Sequence, residues 1–522
     1  MPTLPDTPER QGTIDERSGQ YLCFPDILTR QDGTLLCVYR EADSHVATRR
    51  RLLARMSSDA GHTWGSATVV AQGQGHCPRL SNPEPGLIAI ADDNGTLHTS
   101  TDQGQSWVFT KGTGIRHGVT DRILAMPDGS WLTTAHRHLE LPADPASGQR
   151  PTEQIVFASH DQGRNWHHLG TLAGPGRLVL CEAALTPLPD GRLLALMREN
   201  SHVGEPVYRS ESLDGGRSWS PPAPTPLVGH RPTPGLTKDG RLLVTFRDTG
   251  PSCGTSAWLG SAQDLAGFSV HGSRTHLPHP LYPDPTPEGL LLDPAGGPPP
   301  FYLLAPLTDP DRETATLQAE VRCLDEAGGC GLRLGGWWRI QRDQLTLLTP
   351  PRDGEPQALD AAPLVEITLP RDQLNHIRLH WAPGLVHASV NGEHCAAVEL
   401  DASSVRRRPI LFGALPFGNA GRSLWRMVRH DIYRQGRDHH WQWHHEDGPP
   451  DAHARRDVLQ LAAAPDAAWC DYGYTGWTET TPGEFLCAYH HATGHEPGYA
   501  PGSHAHVRST RFQASDFDAA SP

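Results

Sequence analysis

The segment Ser57-Ser58-Asp59-Ala60-Gly61-His62-Thr63-Trp64 decides the fold, because its pattern returns at Ser100 to Trp107, Ser159 to Trp166 and Ser212 to Trp219. The shared form is S-x-D-x-G-x-x-W, and a decayed copy stands at Ser261 to Phe268. Each part has a physical task. The aspartate caps backbone amides of a tight turn, the glycine takes a positive φ, and the tryptophan packs between neighbouring sheets. The copies are spaced at roughly the length of one four-stranded propeller blade. The motif is therefore structural, and its repetition predicts an all-β chain built as a β-propeller.

A second repeat runs out of phase with the first: an apolar strand, a D-G or P-G turn, and another apolar strand. The turns are Asp32-Gly33, Pro85-Gly86, Asp128-Gly129, Asp190-Gly191, Asp239-Gly240 and Pro482-Gly483, which predicts six blades, each turn joining an innermost strand to the next strand out. The gap between the fifth and sixth turns is far longer than a blade needs and implies an insertion after the fifth blade, over about 276–445. The expected organisation is blades one to five over 14–275, the insert over 276–445, and the sixth blade with ring closure over 446–518. Within the insert, the alternating segments Thr316 to Cys323, Leu364 to Leu369, His376 to Trp381 and Leu385 to Val390, the last followed by Asn391-Gly392, spell an antiparallel β-sandwich. The run HIRLHWAPGLVHASVNGEH over 376–394 resembles a laminin-G or concanavalin-type jelly-roll module.

Composition narrows the function classes. A formal charge of −14 argues against nucleic acid as the main partner, since phosphate binding needs a basic field. No stretch is apolar enough for a membrane span, and the polar opening from Met1 to Thr13 lacks an apolar signal core, so a cytoplasmic location is expected. Ten cysteines without C-x-x-C pairs give no zinc signature. His439, His440, His444 and His445 lack a carboxylate or cysteine at ligand spacing in the sequence and read as solvated surface. No cofactor or metal is expected.

The chemistry is expected where the blades converge. Eight residues past the first residue of each turn stand Arg40, Asp93, His136, Arg198, Arg247 and His490. Eight residues before each turn stand Phe24, Cys77, Thr120, Glu182, Arg231 and Tyr474, with Asp26, Arg79, Asp121 and Arg122 close by. Inner strands line one channel, so residues at one register share one cavity. Arginines beside carboxylates, histidines and a tyrosine suit an anionic sugar, and blade-to-blade salt bridges are the alternative use of the same residues.

The repeats match the Asp boxes of sialidases, and the resemblance extends to the site. Sialidases carry a glutamate early in the fourth blade, then a D-G turn, then an arginine, as Cys181-Glu182 through Asp190-Gly191 to Arg198-Glu199 do here. The resemblance implies that Glu182 activates the nucleophile and that Arg198 binds the substrate carboxylate. Tyr474, in Tyr472-Gly473-Tyr474-Thr475-Gly476, resembles the tyrosine nucleophile, with Tyr472 as the alternate. By its place on the loop after the first blade, Asp43 corresponds to the acid, and Glu41 and His45 are alternatives. This chain departs from the family in the first blade, where Cys23-Phe24-Pro25-Asp26 replaces an Arg-Ile-Pro segment, and Arg231 and Arg247 compete to be the third arginine. The expectation is a retaining, exo-acting glycoside hydrolase on a terminal anionic sugar such as sialic acid. A lyase or hydrolase acting on uronate-containing glycans, or a carbohydrate-binding propeller without turnover, are the alternatives.

Overall fold

The computed structural model describes residues 1–144, 147–201, 204–250, 253–275, 284–351, 357–358, 360–400, 409–434, 438–464, 472–492 and 504–518. The chain divides into two compact units, one comprising 1–202, 207–266 and 456–522, the other 203–206 and 267–455.

The first unit is a six-bladed propeller of four-stranded antiparallel sheets. In blade 1 the strands run Tyr21–Thr29, Leu35–Ala42, Arg50–Ser57 and Thr68–Gln72 from the channel outward. Second strands such as Leu35–Ala42, Leu193–Glu199 and Leu242–Asp248 are buried along their whole length. Neighbouring blades cover both of their faces, which is why they read as apolar runs rather than alternating ones. Outer strands such as Thr68–Gln72 are short and half-exposed.

The boxes lie at the turn between third and outer strands. In the first, Ser57 Oγ donates to Asp59 and accepts from the Gly61 amide at 2.8 Å, while Asp59 accepts from the Thr63 amide at 2.9 Å. The same bonds recur around Asp102, Asp161 and Asp214. Gly61 has φ 82°, a region that L side chains resist. The box tryptophans pack between blades: Trp107 lies with Leu36 of blade 1 and Ile88 of blade 2, and Trp166 with Ala91 of blade 2 and Phe157 of blade 3.

Two connections differ from the expected order. The insertion interrupts the fifth blade instead of following it: Gly229–Leu236, Leu242–Asp248 and Gly254–Gly260 precede it, and the blade's outer strand, Val458–Ala463, comes after it and pairs antiparallel with Gly254–Gly260. The decayed box falls where the chain leaves the blade. A segment that does not turn straight back into an outer strand has no need of the box's turn, which accounts for its decay at that copy. The sixth blade, Tyr472–Thr481, Glu484–His491 and His506–Gln513, takes its outer strand from the N-terminal Gln11–Asp15, which closes the ring and begins ahead of the expected boundary at residue 14.

The second unit begins at Gly267 and ends at Arg455, beyond the expected 276 and 445 on both sides; residue 276 itself lies outside the described residues. One sheet orders Ser269–Gly272, Phe301–Ala305, Ile410–Ala414, Cys330–Arg333, Trp337–Ile340, Gln344–Leu348 and Pro363–Thr368. The other holds Leu290–Leu292, Ser423–Tyr433, Thr314–Cys323, Asn375–Ala382, Leu385–Val390 and Glu393–Glu399, with His439–His444 paired to Ser423–Tyr433. Leu332, Leu345 and Phe412 of one sheet and Leu317, Trp381 and Trp425 of the other share one hydrophobic core, so the sheets pack face to face. The histidine-rich run is thus a strand, and His440 Nδ1 meets Asp431 at 2.8 Å, a carboxylate the linear spacing could not reveal.

Candidate active site

The site is built by a backbone device repeated around the channel. Phe24, Glu182, Arg231 and Tyr474 have φ of 54°, 45°, 45° and 53°. In their four blades the pairing of the first two strands slips at that point, between Cys23 and Asp26, Cys181 and Ala184, His230 and Thr233, and Gly473 and Thr475. Each is a β-bulge, which breaks the alternation of an inner strand and re-aims one side chain at a small cost in strain. In blade 3 the positive φ falls on Val119, one residue before the expected Thr120. The second register is tied to the first, because Arg40, Arg198, Arg247 and His490 pair directly with Cys23, Cys181, His230 and Gly473, each immediately before a bulged residue.

The bulges bring Tyr474 and Glu182 into contact. Tyr474 Oη donates to the Glu182 carboxylate, 2.8 Å from both oxygens, and Arg198 Nη1 donates to Glu182 at 3.0 Å and to Tyr474 Oη. Burial alone would raise the Glu182 pKa. The guanidinium groups of Arg198 and Arg231 overcome it and hold the carboxylate ionised well below its ordinary range. Burial pushes the Tyr474 phenol well above its usual value against the pull of Arg198, so the shared proton rests on tyrosine. The His136 Nδ1 accepts the Glu182 amide at 3.4 Å, and burial lowers the ring's pKa to about 4, leaving it neutral at pH 7.

Three guanidinium groups surround the Tyr474 ring, Arg247 at 4.4 Å, Arg231 at 5.8 Å and Arg198 at 5.9 Å from its centroid. Arg247 Nε donates to the Tyr472 carbonyl at 2.6 Å, and Arg231 Nη1 contacts Cys77 Sγ. Among the described residues, Nη2 of Arg231, Nη2 of Arg247 and Nε of Arg198 are buried without a hydrogen-bond partner. Each such donor costs about 1–3 kcal/mol, more when charged, unless an acceptor arrives. His490 is fully buried between Phe24 and Tyr474, with both ring nitrogens also lacking a partner among the described residues, and burial keeps it neutral.

Other expected site residues are engaged elsewhere. Asp26, fully buried, accepts Arg122 Nε at 3.0 Å and the Leu80 amide at 2.8 Å, and Asp121 accepts Arg79 Nε at 2.9 Å. Arg79 also donates to the Thr475 carbonyl and to Thr233, so this network ties together blades 1, 2, 3, 5 and 6. The sequence put these two carboxylates toward substrate. Arg79 and Arg122 neutralise them instead, with Arg231 Nη2 also 3.6 Å from Asp121, because a buried carboxylate must be paired. Arg40 lies over Phe24 at 4.7 Å and donates to the His45 carbonyl at 2.8 Å, so it holds the loop after the first blade. Asp43 caps that loop, accepting Thr48 N at 3.0 Å and Thr48 Oγ1 at 2.5 Å, and Glu41 is ion-paired to Arg17 and Arg51, each at 2.6 Å. Reading by register missed Asn200, which accepts from Arg198 Nη2; its nearness to Arg198 in the chain was the available signal.

The BNR repeat-like domain family matches residues 81–250. A sialidase of Micromonospora viridifaciens is 25% identical over 273 residues, a match covering 43% of this chain and 39% of the relative, well under half of its length. Among solved structures, a Dyadobacter fermentans protein of unknown function aligns over 97% of this chain and 98% of its own at 12% identity and a TM-score of 0.48. A Trypanosoma rangeli sialidase in complex with the inhibitor DANA aligns over 80% and 92% at 12% identity and a TM-score of 0.34. With four Asp boxes, six blades, a BNR-repeat match and a sialidase relative, the chain is a β-propeller of the sialidase superfamily.

Proposed function

We propose that the propeller is a retaining, exo-acting glycoside hydrolase on a terminal anionic sugar, sialic acid or a related acid, with Tyr474 as nucleophile and Glu182 as its base. The observation that carries the reading is the Tyr474–Glu182 hydrogen bond, with the proton on the phenol and an ionised carboxylate ready to take it. As Tyr474 Oη bonds to the anomeric carbon, its proton passes to Glu182 and the glycosidic C–O bond breaks. Water then attacks the same carbon, the tyrosyl bond breaks, and Glu182 returns the proton to the phenolate. Two displacements retain configuration. A phenol repels an anionic substrate less than a carboxylate nucleophile would, and the N–H groups of Arg198 and Arg247 that lack a hydrogen-bond partner among the described residues, with the Arg231 guanidinium beside them, supply donors for the substrate's acid group. Purified protein assayed on fluorogenic sialosides, glucuronides and arabinosides tests the reading: cleavage restricted to neutral sugars overturns the role of the arginines.

A second reading is β-elimination on a uronate, with a histidine and a tyrosine of the channel as base and acid and the arginines neutralising the carboxylate. An unsaturated, ultraviolet-absorbing product selects it. Ligand binding with no product after prolonged incubation selects a binding protein.

A further inference from the structure

We infer that His45, rather than Asp43, is the proton donor to the leaving group. The inference rests on the glycosidase reading above and names the acid of that site.

Of the candidates on the loop after the first blade, the two carboxylates are held as acceptors of hydrogen bonds and ion pairs. The Asp43 carboxylate accepts Thr48 Oγ1 at 2.5 Å, the Thr48 amide at 3.0 Å and the Arg49 amide at 3.2 Å, bonds that favour its ionised form and turn its own loop. Glu41 is held between Arg17 and Arg51. A carboxylate whose oxygens are accepting such bonds is poorly placed to hold a proton for transfer.

His45, two residues beyond Asp43, is instead aimed by three separate contacts. Its Nδ1 lies 2.7 Å from the Tyr21 hydroxyl. Its ring stands edge-on against Phe24 at 5.6 Å, and the Phe24 ring is 4.9 Å from that of Tyr474, so the imidazole is one aromatic ring away from the proposed nucleophile. Arg40 Nη2 grips the His45 carbonyl at 2.8 Å and reaches the Ser44 carbonyl at 3.4 Å. Arg40 and Phe24 are the residues that register places at the channel in blade 1, and both support the histidine. Phe24 also lies at the bulge of the first-blade segment that departs from the family's Arg-Ile-Pro.

The proton balance is simple. With Nδ1–H donating to Tyr21 Oη, imidazolium Nε2–H gives its proton to the glycosidic oxygen as the C–O bond breaks, leaving neutral imidazole. In the second displacement that imidazole takes a proton from the attacking water and is restored. A single residue that gives and then takes a proton meets the requirement of the retaining mechanism.

The test compares two glycosides of the best sugar found, one with an alkyl or sugar leaving group that needs protonation and one with a nitrophenyl leaving group that departs as its anion. His45→Ala is expected to lower kcat/KM on the unactivated substrate about 100- to 10,000-fold and to leave the nitrophenyl substrate within about tenfold, with added imidazole restoring part of the loss. Tyr21→Phe, which leaves the histidine in place, is expected to show the same selectivity at smaller size. Asp43→Asn is expected to lower Tm and to affect both substrates alike. The inference is overturned if His45→Ala slows both substrates equally, or if the selectivity for leaving group follows Asp43→Asn. Wild-type protein that cleaves neither substrate overturns the glycosidase reading and this one with it, an outcome distinct from normal turnover that is indifferent to His45.

Discussion

Tyr474 and Glu182 stand 292 residues apart in the chain, yet the phenol sits 2.8 Å from each oxygen of the carboxylate. Each reaches that position through a residue of positive φ at a bulge, so the contact is held by backbone rather than by side-chain freedom. Tyr474→Phe keeps the ring and removes the attacking oxygen; Glu182→Gln keeps the shape and removes the base. Each is expected to cut turnover by about 100-fold or more while Tm moves by only a few degrees. Near-normal turnover by Tyr474→Phe on the best substrate would end the tyrosyl mechanism.

Removing a guanidinium with an N–H that lacks a hydrogen-bond partner among the described residues should weaken ligand binding more than folding. Arg231→Met and Arg247→Met are each expected to raise KM for an anionic sugar about 10- to 100-fold, the worth of a charged hydrogen bond. The uncharged amide of the same sugar should bind the variants and the wild type with similar strength. Equal losses for acid and amide would assign these arginines to blade packing.

Acid should unfold the propeller partly through its boxes. Hydroxyl, amide and Asn165 donors lower the pKa of Asp59, Asp102, Asp161 and Asp214, the last three to about 2. The sign follows from linkage: a carboxylate whose folded pKa lies below its unfolded value contributes stability above the unfolded pKa, about 4, and loses it as pH falls through the folded one. Tm is therefore expected to be steady near neutrality and to fall between about pH 4 and pH 2. An Asp161→Asn variant should start with a lower Tm and show a shallower decline over that range. A decline just as steep in the variant would place the titrating groups elsewhere.

Because the insert interrupts blade 5, its removal has a correct and an incorrect seam. Deleting 267–455 and joining Ala266 to Arg456 through a short turn should leave a propeller that unfolds cooperatively, since Gly254–Gly260 then leads directly to its partner Val458–Ala463. Cutting at 276 and 445 strands Ser269–Gly272 without Phe301–Ala305, its neighbour in the sheet, and should give a less soluble product. Chemical denaturation of both variants checks this, and equal behaviour would count against the assignment of the seam.

The fold was legible because its signals are local and repeated. A box of eight residues carries its own turn, with Ser57, Asp59 and Gly61 bonding one another, so its pattern survives in the sequence regardless of what lies across the molecule. The D-G and P-G turns counted the blades, and a fixed offset from them reached Glu182, Arg231 and Tyr474, because strand length and pairing set that offset within one blade. Everything that depends on a meeting between blades lay beyond this reading. Pairing across the channel neutralised Asp26 and Asp121 with Arg79 and Arg122; a strand from the N-terminus closed the sixth blade; the fifth blade's outer strand came from beyond the insert. The same holds for the loop after the first blade, where Asp43, Glu41 and His45 were equivalent by position. Their partners Thr48, Arg51 and Tyr21 separated them only once the chain had folded, since the availability of a side chain's proton depends on what it touches, and those contacts are made by tertiary packing.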